Sequence, residues 1–186
     1  VDFSNEFSEY LINILHGSSY VFCISNNTKS DLKDFIYKSG APSPKLITMK
    51  LGTTFHKDSI VNNNSQLHSK FILYVSTIET RKNHQLIIDI YLLAKRKGFD
   101  LPNIIFIGMM GWGTQKEMDQ IYDNSYLNKK ILILNNIDDE KLQHYYKNAL
   151  FCIYPSLYEG WGLPIIEAAS FGKVTICSNI KSLREA

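Results

Sequence analysis

Glu159 and Glu167 stand eight residues apart in the segment Tyr154-Pro-Ser-Leu-Tyr-Glu-Gly-Trp-Gly-Leu-Pro-Ile-Ile-Glu-Ala-Ala169, and Arg81 and Lys82 sit together in Ser76-Thr-Ile-Glu-Thr-Arg-Lys-Asn83. Two carboxylates and two cations are chemistry-bearing groups, and their settings suggest how they act. Glu159 lies in a loop bracketed by Gly160 and Gly162, after an apolar run, Leu150 to Tyr154, that reads as a buried strand. Glu167 is expected in the first turn of a helix opened by Pro164, because proline at the first helical position costs no amide hydrogen bond. A strand, a glycine loop and a helix start turn free amides and a helix dipole towards one place, which suits an anion. An anion cradle beside carboxylates fits a ligand with both phosphates and hydroxyls, as a sugar nucleotide has. Paired carboxylates also serve as acid and base in glycoside hydrolysis. One glutamate on a glycine loop and one on a helix start, opposite a basic loop, favour positioning of a donor instead.

Each group also has a plainer reading. Glu159 alone is a solvated loop carboxylate, and Glu167 alone is a favourable charge near a helix start. Arg81 and Lys82 are either a solvated pair or a pyrophosphate clamp, Arg as a bidentate fork and Lys as a point charge. Cations at a helix N-terminus oppose its dipole, so a bound anion would relieve the conflict. Gly108-Met-Met-Gly-Trp-Gly113 ends a further strand, where glycines permit close approach to a ligand or simply a tight turn. His84 follows the basic pair and reads as a surface helix residue, with phosphate contact as the alternative. His16, His56, His68 and His144 show no metal-ligand spacing, so no metal is expected. There is no G-x-S-x-G elbow, and no cysteine has a base partner nearby, which argues against covalent catalysis.

The elements that must place these groups alternate short β-branched runs with longer periodic segments, the pattern of an α/β protein with a mostly parallel sheet. Helices are expected over 5–15, from a cap at Asn27 or Thr28 to Tyr37, and over 83–97, 115–122, 139–148 and 164–171. Strands are expected over 20–24, 45–49, 71–75, 104–107, 131–134, 151–154 and 174–177. The stretch 58–69, with Asn62, Asn63 and Asn64 in a row, has no periodicity and reads as a linker. It divides the chain into residues 1–65 and 66–186. In an open parallel sheet ligands bind beyond the carboxyl ends of strands, which puts the 76–83 loop on the functional edge.

Composition sets the outer limits. Hydrophobic residues make up 45% of the 186 and aromatics 12%, ample for a packed core. The formal charge of +2, with no basic stripe, gives no case for nucleic acid. Cys23, Cys152 and Cys177 sit in apolar runs without C-x-x-C spacing and read as reduced core thiols. No apolar run reaches the roughly 18 residues of a membrane span, and no signal peptide is visible. The chain starts at Val1 and stops in a charged run, so it reads as a piece of a longer protein.

The three segments Val75 to His84, Phe106 to Gly113 and Tyr154 to Ala169, in that order, resemble the C-terminal nucleotide-sugar domain of glycosyltransferase family 4, the retaining enzymes of GT-B fold. The Glu-x7-Glu spacing followed by Ala168 and Gly172 carries most of the likeness. It extends strongly over residues 70–186. Residues 18–55 more loosely resemble the last βαβ unit of the family's N-terminal domain, through Ile24-Ser25 and Leu51-Gly52. The resemblance implies two Rossmann-like domains with the active site between them, and residues 1–65 would then be the end of the acceptor-side domain.

By the same resemblance, Glu159 with the amides of Gly160, Trp161, Gly162 and Leu163 would meet the donor sugar. Glu167 would hold the ribose, Lys82 the pyrophosphate, and Asn135, Asn136 and Ile137 the base. Gly108 would line the donor site. The family's usual arginine five positions before the lysine is Thr77 here, and Arg81 would replace it. The implied reaction moves a sugar from a GDP- or UDP-sugar to a glycan or lipid-linked acceptor with retention, without metal or cofactor. It would serve surface polysaccharide synthesis in the cytoplasm, at the inner face of the membrane, with peripheral attachment there. Related epimerases and phosphorylases lack the combined Arg-Lys-Asn and Glu-x7-Glu motifs. A non-catalytic donor-binding module is the remaining alternative.

Overall fold

The computed structural model describes residues 3–55 and 70–186. The expected linker over 58–69, the boundary within it, and His56 and His68 lie outside the described residues. Helix α1 (Phe3–Gly17), strand β1 (Tyr20–Cys23), helix α2 (Asn26–Ser39) and strand β2 (Lys45–Thr48) form a first unit, in which β1 and β2 pair in parallel. Ser25, rather than Asn27 or Thr28, caps α2: its hydroxyl accepts from the Thr28 amide at 2.9 Å. Thr28 is the third helical residue, so its amide is one of the orphan donors that a cap satisfies.

The second unit holds β3 (Phe71–Val75), a 3-10 turn (Thr80–Lys82), α3 (His84–Arg96), β4 (Asn103–Ile107), α4 (Gln115–Asp123), α5 (Ser125–Lys130) and β5 (Ile131–Leu134). It continues with α6 (Asp139–Asn148), β6 (Cys152–Tyr154), α7 (Leu163–Ser170), β7 (Thr175–Cys177) and α8 (Lys181–Glu185). All strand pairs are parallel, in the order β5-β4-β3-β6-β7. The chain therefore winds outward from β3 through β4 to β5, then returns to β6 on the other side of β3. That reversal between β3 and β6 is the topological switch point of a doubly wound sheet, where a crevice opens beyond the strand ends.

Both faces of the sheet are covered, which is why the central strands read as unbroken apolar runs. Ile72, Tyr74, Ile104 and Phe106 pack with Ile87, Ile88 and Tyr91 of α3, Met118 and Ile121 of α4 and Leu127 of α5. The alternate residues Phe71, Leu73, Ile105 and Ile107 pack with Tyr146 of α6 and Ala168 and Phe171 near the end of α7. Cys23 and Cys152 are buried as expected, but Cys177 is exposed. It ends β7, the edge strand of this sheet among the described residues.

Candidate donor-binding site

Two loops meet at the switch point. The first leaves β3 through Ser76 and Thr77 and tightens into the 3-10 turn, and Asn83 then reverses the backbone in the left-handed region at φ 60°. Asparagine tolerates that conformation better than most residues with a Cβ. The second loop runs from Pro155 to Gly162 after β6. Asn83 Nδ2 donates to the Pro155 carbonyl at 3.2 Å, and the Leu157 amide donates to the Arg81 carbonyl at 2.8 Å. The loops are thus joined along their length.

Between them lies a compact ionic cluster. Lys82 Nζ donates to Glu159 Oε1 at 2.5 Å and to the Tyr154 hydroxyl at 2.9 Å. Arg81 Nη1 donates to Glu159 Oε2 at 2.8 Å and to the Tyr158 carbonyl at 3.2 Å. Arg81 Nε lies 2.6 Å from Glu79 Oε1, a close ionic contact without hydrogen-bond alignment. Lys82 and Glu159 are 5% and 7% exposed, so this is a buried ion pair rather than a solvated one. Burial pushes the Glu159 carboxyl up, but the hydrogen bond and charge of Lys82 outweigh it and hold the carboxyl below its ordinary value. Burial also draws the Lys82 ammonium down from its ordinary value, against the hydrogen bond and charge of Glu159.

The cluster borders a cleft of about 920 Å³ beyond the carboxyl ends of β3, β4, β5 and β6. Most residues that the sequence singled out line it: Thr77, Arg81 and Lys82 from the first loop, Gly108 after β4, Asn136 and Ile137 after β5, and Glu159 to Leu163 with Glu167 after β6, whereas Asn135, Gly111, Gly113 and His84 are not in its lining. Gly108 floors the cleft where two backbones touch. A Cβ there would stand 2.0 Å from the Ser76 carbonyl oxygen.

Several placements differ from the sequence reading. Leu163 is the first residue of α7 and Pro164 the second, so Glu167 stands in the second turn. Its carboxylate accepts from the Tyr146 hydroxyl of α6 at 2.7 Å, and burial raises its pKa. Glu159 is not a separate group facing the basic pair but their direct partner. Tyr154, Glu79 and Tyr146 complete these contacts and were missed as partners, since an apolar strand, a short loop and a helix face show no local sign of a long-range hydrogen bond. The first unit also reaches the cleft, through Ile24 and Leu51. The Trp161 indole donates to the Leu51 carbonyl at 3.0 Å, and the Thr28 hydroxyl donates to the Gly160 carbonyl at 3.3 Å.

His84 is 2% exposed, not on the surface. It stacks on Tyr74 with centroids 4.7 Å apart and meets Phe106 edge-on. Burial, with the nearby Lys82 charge, lowers its pKa from 6.5 to about 4. The unfolded chain therefore binds a proton before the native state does as pH falls through this interval. Stability should drop between pH 6.5 and about 4, by about 3 kcal/mol for this 2% exposed group. His84→Phe should flatten that part of the Tm–pH curve, and an unchanged slope would contradict the assignment.

Among the described residues, no group of three or more His, Cys, Asp or Glu could hold a metal ion, and no helix is long and apolar enough to cross a membrane. The fold and site together define a doubly wound α/β protein with a cleft at its switch point that Arg81, Lys82, Glu159 and Glu167 line. The chain belongs to the glycosyl transferases group 1, whose family model matches residues 56–186. It is 36% identical over 115 residues to the O-antigen chain mannosyltransferase B of Escherichia coli, covering 62% of this chain and 30% of that protein. It is 27% identical over 157 residues to the capsular polysaccharide biosynthesis glycosyltransferase CapH of Staphylococcus aureus, covering 81% and 44%. The chain thus spans less than half the length of either. Among solved structures, Anabaena HepE in complex with UDP-glucose matches with a TM-score of 0.73 at 19% identity, over 98% of this chain and 51% of that one. Staphylococcus aureus TarM in a complex containing UDP matches with a TM-score of 0.69 at 17% identity, over 95% and 33%. The architecture is that of the GT-B glycosyltransferases, α/β with Rossmann-like parallel sheets.

Proposed function

We propose that this chain carries the donor side of a glycosyltransferase that moves a sugar from a GDP- or UDP-sugar to a glycan or lipid-linked acceptor. The observation that carries the reading is the pairing of Arg81 and Lys82 at the switch point, in one cleft with Asn136 and Glu167. Departure of a nucleoside diphosphate builds negative charge on the β-phosphate, and fixed cations there stabilise it without reorganisation. Lys82 and Arg81 are the cations, and the reaction needs no metal. Glu167 holds the ribose, Asn136 and Ile137 the base, and Glu159 with the Gly160–Leu163 amides the sugar. Residues 1–65 end the acceptor-side domain, and 66–186 form the donor domain.

Surface polysaccharide synthesis is the setting favoured by the O-antigen and capsular relatives. We place the reaction in the cytoplasm at the inner membrane face, with retention of anomeric configuration. The deciding experiment incubates the full-length protein with a panel of sugar nucleotides and follows release of UDP or GDP. Turnover of one of them is expected, whereas binding without hydrolysis or transfer would leave only a binding module. For the ribose assignment, Glu167→Ala should weaken UDP or GDP by about tenfold, the size of a hydrogen bond to a charged group. Inorganic pyrophosphate binding should not change, and equal nucleotide affinity in the variant would remove Glu167 from the site.

A further inference from the structure

We infer that Glu159 is a resident counter-ion of the diphosphate subsite, which an incoming diphosphate displaces from Lys82 and Arg81. The inference rests on the donor-cleft reading above and adds how that cleft is held when no diphosphate is bound. The two oxygens of the Glu159 carboxylate divide between the two cations, Oε1 on Lys82 at 2.5 Å and Oε2 on Arg81 at 2.8 Å. A phosphoryl group would present two oxygens to the same two donors. Carboxylate and phosphate therefore compete for one set of hydrogen bonds, and both cannot hold it.

A buried ammonium without a partner is strongly unfavourable, so a phosphate site this enclosed needs an anion in place before the ligand arrives. Lys82 is 5% exposed, and Glu159 supplies that anion. Exchange then selects for charge. A ligand with a single dispersed charge gains little over the carboxylate already there. A diphosphate brings more charge and more acceptor oxygens to the same cations.

The backbone around Glu159 is pinned on both sides. The Leu157 amide donates to the Arg81 carbonyl at 2.8 Å before it, and the Gly160 carbonyl accepts from the Thr28 hydroxyl at 3.3 Å after it. Displacement is thus a rotation of the side chain and not a rearrangement of the loop. Freed from the cations, the carboxylate swings within the cleft that it already lines and reaches the sugar hydroxyls, while Tyr154 keeps its hydrogen bond to Lys82. Diphosphate binding is the event that makes Glu159 available to the sugar.

Calorimetric titration of the full-length protein with inorganic pyrophosphate, and separately with UDP and GDP, tests this in the wild type and in Glu159→Gln. Without the competing charge, the variant should bind pyrophosphate about tenfold more tightly, as expected when the competitor loses charge-assisted hydrogen bonds. Pyrophosphate should also raise the Tm of Glu159→Gln more than that of the wild type. A residue that only contacts the sugar predicts equal pyrophosphate affinity, and that result, weaker binding, or no binding by either protein would overturn the exchange. A second readout needs no variant. In carbon-13 NMR of the wild type, the Glu159 carboxyl should titrate below the ordinary carboxylate range and return towards it when pyrophosphate is added. No movement would equally overturn the proposal. If pyrophosphate behaves as expected but UDP and GDP do not bind, the exchange stands and the nucleotide reading falls. If UDP or GDP binds and Glu159→Gln gains nothing for pyrophosphate, the nucleotide reading stands alone.

Discussion

Lys82→Ala in the full-length protein is expected, on the donor-site role proposed above, to lower kcat/KM for the sugar nucleotide by about 10²–10³-fold, the effect of removing one preorganised group that stabilises developing charge. Lys82 is the cation better placed to do so, because it is 5% exposed, whereas the Arg81 side chain is 41% exposed and more screened by water. The loss should fall mainly on kcat, because charge on the leaving phosphate is greatest in the transition state. Removing the ammonium also leaves Glu159 with Arg81 as its remaining cationic partner, so Tm should be recorded beside the kinetics. Lys82→Arg should not rescue activity, since a planar fork does not fit where a compact ammonium bridges Glu159 and Tyr154. A loss below tenfold with the fold intact would remove Lys82 from the chemistry.

The sequence was informative about the sheet and about which residues share the cleft, for a common reason. Runs such as Phe71–Val75 and Ile104–Ile107 are buried on both faces, so their composition alone marks them as strands. Once strands and helices alternate, the loops at the carboxyl ends fall on one edge. Short elements were harder to see. The six residues of α5 have no room to show a period, and only the Asn124 side chain, accepting from the Tyr126 and Leu127 amides, marks its start. The five-residue α8 is similar, and Glu185 within it accepts from the Asn26 and Asn27 amides at the start of α2, a contact 159 residues away from Asn26 that no local pattern announces. His84 was misplaced because its helix is amphipathic, yet its ring turns inward onto Tyr74, where an imidazole can stack as an aromatic. The largest revision concerns Glu159. Its spacing to Glu167 was visible, but its pairing with Lys82 depends on the β6 loop folding back over the β3 loop, which only the strand order determines.

Gly108→Ala should be the most destabilising single methyl group that can be added near the cleft. The added Cβ would lie 2.0 Å from the Ser76 carbonyl oxygen and 2.6 Å from its carbon, both main-chain atoms that no rotamer change can move. Nor can the strands separate cheaply. The Ser76 amide donates to the Ile107 carbonyl at 2.9 Å, the Ile78 amide to the Met109 carbonyl at 2.9 Å, and the Gly108 amide to the Leu134 carbonyl at 3.0 Å. Relief of the clash strains or breaks bonds on both sides of β4, so a loss of about 3–5 kcal/mol and a Tm lower by roughly 10 °C are expected. Gly172→Ala is the control. Gly172 has φ +69°, in the left-handed region, but nothing lies within 4 Å of its Cβ position, so only the backbone strain of about 1–2 kcal/mol applies. Equal Tm losses in the two variants would mean that the backbone contact at Gly108 relaxes freely. A much larger loss at Gly108 would mean that β3 and β4 meet too tightly for any side chain there, and that the floor beneath the ionic cluster is a rigid one.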